Sequence, residues 1–124
     1  MPNQIIACAV WTDANGRANA VIEFDTAVDV ANLKIGLYRQ PGATKPLVIT
    51  DWSATPAAGT PATILSFEDR TGKVVLPPTG TVVFIGAKSA HGHRWELGVA
   101  VTVGTPTGVA GTRVLDVATS FDAL

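Results

Sequence analysis

The chain has 124 residues, 47% of them apolar and 15% charged, with nine basic against ten acidic side chains and one cysteine, Cys8. This length predicts one domain spanning residues 1–124, and the apolar content excludes bulk disorder. A single cysteine excludes a disulfide scaffold, and the balanced charge gives no field that would select nucleic acid or anionic lipid.

The first segment, Met1 to Trp11, is apolar but has no basic residue ahead of it; the first positive charge is Arg17. A secretory signal needs a basic start, so none is predicted and synthesis in the cytoplasm is expected. The run is also too short to span a bilayer, and no membrane partner is expected.

Valine, isoleucine and threonine supply 37 residues, the side chains that suit a pleated surface. Period-two alternation then marks strands along the chain. Ile5–Thr12 and Ala18–Asp25 flank Asp13-Ala14-Asn15-Gly16, where Asn15-Gly16 predicts a primed hairpin turn with positive φ at both residues. Thr26–Ala31 is the only helical candidate, with Thr26 placed as its N-cap. Leu33–Tyr38 and Leu47–Ser53 follow as strands. Thr63–Glu68 and Lys73–Leu76 read as a hairpin about Asp69-Arg70-Thr71-Gly72, stopped by Pro77-Pro78. Val82–Ile85 is apolar on both faces and should be covered. Trp95, Leu97, Val99, Val101 and Val103 form the cleanest stripe, and Arg113–Thr119 offers a last strand.

The expected fold is therefore all-β: a single antiparallel sandwich or barrel of about 8–9 strands, jelly-roll or Ig-like, without substantial helix.

The sequence carries no catalytic signature. His91-Gly92-His93 has the spacing to share a metal ion, yet it sits in a turn between two strong strands and lacks obvious further ligands. Asp13-Ala14-Asn15 begins like a calcium loop, but Arg17 and Phe24 occupy the later ligand positions. Cys8 lies in an apolar strand and reads as an inert buried thiol. No enzyme activity, metal or cofactor is expected.

The loops Ala54–Ala62 and Gly104–Gly111 are built from Ala, Gly, Thr and Pro, and low charge is what covered interfaces show. The leading expectation is a non-enzymatic structural protein of a larger assembly. A small virion component, a capsid decoration or cement protein or a spike or tail module, fits this reading. It would form homo-oligomers and bind neighbouring subunits through low-charge surfaces and a tail containing Phe121 and Leu124. The alternative is a glycan- or ligand-binding module, cytoplasmic or exported without a signal. There Trp11 or Trp52 would be the stacking platform, and Asp13, Asn15 or Asp51 the hydroxyl partners. Trp95 belongs to the apolar stripe and is expected in the core.

Overall fold

The computed structural model describes residues 5–39, 47–89, 94–104 and 115–116. Among them run β1 (Ile5–Thr12), β2 (Ala18–Val28), β3 (Leu33–Tyr38), β4 (Leu47–Val48) and β5 (Ser53–Thr55). After these come β6 (Ala62–Glu68), β7 (Val82–Ser89), β8 (Arg94–Thr102) and β9 (Leu115–Asp116). They form two antiparallel sheets. The first has the order β1-β2-β6-β5, the second β4-β3-β7-β8-β9.

The sequence alternation becomes a layered core. In the first sheet Cys8, Ile22 and Leu65 lie in register and point inward, and so do Val10, Ala20, Phe67 and Ala54 in the next inward row. Leu33, Ile35 and Leu37 of β3 and Val83, Ile85 and Ala87 of β7 face them from the second sheet. Ile22, Ile35, Leu65 and Ile85 are completely buried. One flank is drawn together by a parallel bridge between Val10 and Val103, with the Gly104 amide donating to the Val10 carbonyl at 2.9 Å. Among the described residues the sheets are otherwise unclosed, which makes the architecture sandwich-like.

The chain passes between the sheets three times, and each passage departs from the simplest reading of the sequence. The first follows β2, which runs on through Thr26 to Val28. The short helical turn is 3-10, Val30–Asn32, capped by Asp29 rather than Thr26. The Asp29 carboxylate accepts from the Ala31 amide at 3.0 Å and, through both oxygens, from the Gly59 amide at 3.0 Å. It thereby ties the crossover to the loop after β5.

The second passage divides the expected Leu47–Ser53 strand. Leu47 and Val48 pair with β3, a 3-10 turn over Ile49–Asp51 buries Ile49, and Ser53–Thr55 pair with β6 in the other sheet. A stretch of strand-forming residues therefore serves both sheets.

The third passage replaces the expected hairpin arm Lys73–Leu76. Asp69, only 4% exposed, accepts from the Thr71 amide and hydroxyl and, at 2.8 Å, from the Val74 amide. That carboxylate takes a donor which a strand would give to its neighbour. Val74 and Leu76 turn into the core while Val75 stands 85% exposed, and Pro77-Pro78 have no N–H to offer a ladder. Alternation is present here without a strand.

The β1–β2 turn also differs in type. Gly16 has φ of 79°, but Asn15 does not enter the positive region. The Gly16 amide donates to the Asp13 carbonyl and the Asp13 amide to the Arg17 carbonyl, giving a three-residue loop with glycine at its last position. Of the expected strand Arg113–Thr119, the described residues are Leu115–Asp116, in register with Ala100 and Val99.

Cys8 is fully buried, and removal from water pushes its thiol pKa up to about 12. The thiolate is the reactive species. The native protein is therefore expected to resist a thiol-specific disulfide reagent at pH 8 and to react fully in denaturant. Rapid native labelling would contradict the burial.

Candidate functional site

With the inward rows committed to the core, the outward rows define what the molecule can present. On the first sheet, Trp11, Asn19, Glu68 and Ser53 lie in register across all four strands. All four are half-buried, so this row is a shallow surface. The next outward row is Ala9, Val21, Ser66 and Thr55. Small side chains there leave Trp11 as the largest feature of the face.

The row is held by the β1–β2 hairpin. Asp13 Oδ1 accepts from the Asn15 amide at 2.9 Å and the Arg17 amide at 3.0 Å, while Oδ2 accepts from Asn19 Nδ2 at 2.9 Å. The Arg17 N–H, and after it the Asn19 amide, hold the Asp13 carboxyl below the usual carboxylate range. Asn19 Nδ2 also donates to the Arg17 carbonyl at 3.0 Å, so both bonds fix the orientation of its amide. At the centre of the row, Glu68 sits 3.8 Å from the Arg17 guanidinium and 3.1 Å from Arg70 Nε.

Sequence reasoning names Trp11, Asp13, Asn15, Asp51 and Trp52 as candidates. The structure brings the first three together at one hairpin. Asp13 spends its oxygens on bracing that hairpin, and Asn15 contributes its backbone amide and stands exposed. Asp51 is exposed on the 3-10 turn between β4 and β5. Trp52 follows it, half-buried against the core, with its amide donating to the Ile49 carbonyl. Ser53 beside Trp52 is three inter-strand steps from Trp11, about 14 Å at the usual strand spacing. The two tryptophans also lie on opposite faces of the first sheet. They do not share one platform. Phe121, Leu124, His91 and His93 lie outside the described residues.

Asn19, Glu68 and Arg17 are the residues that sequence reasoning misses. Their signal is the register fixed by the hairpin: a strand returning from Asp13 places Asn19 beside Trp11. Pairing of β2 with β6 then adds Glu68.

The outward face of the second sheet has a different character. Tyr38, Phe84 and Ala100 lie in register, and Val82 pairs with Thr102. Val82 is 46% exposed, Phe84 and Ala100 are half-buried, and Tyr38 and Gly86 are buried. The Tyr38–Phe84–Ala100 end of this face is apolar and aromatic, with exposed Thr102 beside Val82 and exposed Lys34 at the far end of β3.

Among the described residues, no group of three His, Cys, Asp or Glu side chains is placed to hold a metal ion. Nor is any helix there long and apolar enough to cross a membrane. The fold and surface define an all-β, sandwich-like protein with two chemically distinct outer faces. No protein-family model, curated protein or solved structure matches the chain.

Proposed function

We propose that this chain is a non-enzymatic structural module of a larger assembly, a small shell component such as a virion decoration or cement protein. Its neighbours are other protein subunits, including copies of itself. The observation that carries this reading is the outward face of the second sheet around Val82, Phe84 and Ala100, where Phe84 and Ala100 lie in register and Val82 stands two residues along the same strand. Interface cores are depleted in charge and enriched in aromatic residues, and the patch around Phe84 has that composition, with Lys34 at its edge. Half-exposed Val82 would gain burial when a neighbouring subunit covers it.

Of the two sandwich topologies expected, the strand order supports the Ig-like one. The order β1-β2-β6-β5 corresponds to strands A, B, E and D of that fold, and β3-β7-β8 to C, F and G. A rigid sandwich of this kind suits adhesion by shape, since nothing in it has to move for two surfaces to meet.

Size-exclusion chromatography with light scattering tests the reading across a range of concentrations. The unmodified chain is expected to associate. Val82→Glu, which puts a charge on the outward face without entering the core, is expected to give a monomer with an unchanged circular dichroism spectrum. A chain that stays monomeric at every concentration and binds no shell would sink the proposal.

A further inference from the structure

We propose that the Trp11–Asn19–Glu68–Ser53 row on the first sheet is a binding site for a neutral pyranose-based glycan. This goes beyond the assembly reading, because it concerns the opposite face of the molecule and a different kind of ligand. A sugar ring has an apolar C–H face and an equatorial rim of hydroxyls. It therefore asks for an aromatic surface beside groups that both donate and accept hydrogen bonds. The row supplies that pairing: Trp11 at one end, with an amide, a carboxylate and a hydroxyl following it in register across the strands.

The polar groups are also positioned in advance. Asn19 spends both of its N–H donors' direction on Asp13 Oδ2 and the Arg17 carbonyl, which leaves Oδ1 as an acceptor. Glu68 is anchored between Arg17 and Arg70, so its carboxylate can accept a hydroxyl while a neighbouring guanidinium donates to the next. Groups already fixed lose little entropy when a ligand arrives.

Charge selects the class of glycan. Two arginines, Arg17 and Arg70, stand against two carboxylates, Asp13 and Glu68, so the cluster is neutral overall. It has no surplus cation to hold a uronate or sulfate. Ala9 and Val21 beside the row leave the surface shallow, so an extended chain can lie along it.

Affinity electrophoresis through gels containing dextran, mannan, xylan or laminarin tests the site, with polygalacturonate as the anionic comparison. At least one neutral polysaccharide is expected to retard the chain, with polygalacturonate having no effect. Trp11→Ala is expected to abolish the retardation, Trp11→Phe to retain part of it, and Glu68→Gln to weaken it at least tenfold. Circular dichroism establishes that each variant is folded; if Trp11→Ala is not, the Trp11→Phe and Glu68→Gln results decide. Retardation by none of the neutral polysaccharides, by polygalacturonate alone, or to an equal extent in the tryptophan and Glu68 variants overturns the proposal. Oligomer formation tested through Val82 is read separately, so either proposal can fail alone.

Discussion

Replacing Phe67 with alanine is expected to lower the unfolding free energy by about 3–5 kcal/mol. Phe67 is 1% exposed on β6, and its register neighbours on both sides, Ala20 of β2 and Ala54 of β5, are small. The ring fills the space above two alanines, and neither can expand to replace it. The cavity should therefore persist instead of collapsing, which is the condition for the upper part of that range. Against a typical total of about 5–15 kcal/mol, this is a large share of the stability, and the variant should unfold at markedly lower denaturant concentration. Urea denaturation followed by tryptophan fluorescence measures the change. A loss below about 1.5 kcal/mol, as seen for volume-conserving exchanges, would show that the two sheets close the gap.

Acidification should act on two of the crossovers and on the β1–β2 turn before it acts on the core. Three aspartates have carboxyl groups held below their ordinary value. Thr71, then the Val74 amide, does this for Asp69; the Gly59 amide, then Ala31, for Asp29; the Arg17 amide, then Asn19, for Asp13. Each folded-state value lies below the unfolded one near 3.8. The stabilisation is therefore fully present above that value and is lost as pH falls through it towards the folded-state values. The melting temperature should stay level from pH 8 down to about 5 and fall steeply below about 4. Asp69→Ala should lower it at neutral pH and flatten the acid limb. An acid limb equally steep in that variant would assign the loss to other groups.

How far the sequence determines these features differs from element to element. Strand periodicity is local, so the inward rows through Ile22, Leu65 and Ile85 follow directly from alternation. Where a side chain competes for backbone donors, alternation misleads: Val74 and Leu76 point inward as in a strand, yet Asp69 has taken the amide of Val74. Alternation equally fails to say which sheet a strand joins, and that is why Leu47–Ser53 reads as one element but serves two. The site depends on both kinds of information. Trp11 is visible as an aromatic residue at a strand end, whereas Asn19 and Glu68 become its neighbours only once the pairing of β1, β2 and β6 is known. Asp13 looks like a ligand group from its type alone, and its hydrogen bonds assign it to the turn.

The three passages between sheets have a consequence for cooperativity. Each sheet is assembled from separate stretches of chain: β1, β2, β5 and β6 on one side, β3, β4, β7, β8 and β9 on the other. Within either sheet, two hairpins pair directly through β2–β6 or β3–β7, but the chain between them runs by way of the opposite layer. No contiguous fragment contains one complete sheet alone: Ile5–Glu68 holds all of the first sheet but carries β3 and β4 of the second with it, so neither sheet forms without part of the other. The molecule should gain and lose its order as one unit, and a neighbour that grips one face thereby steadies the other.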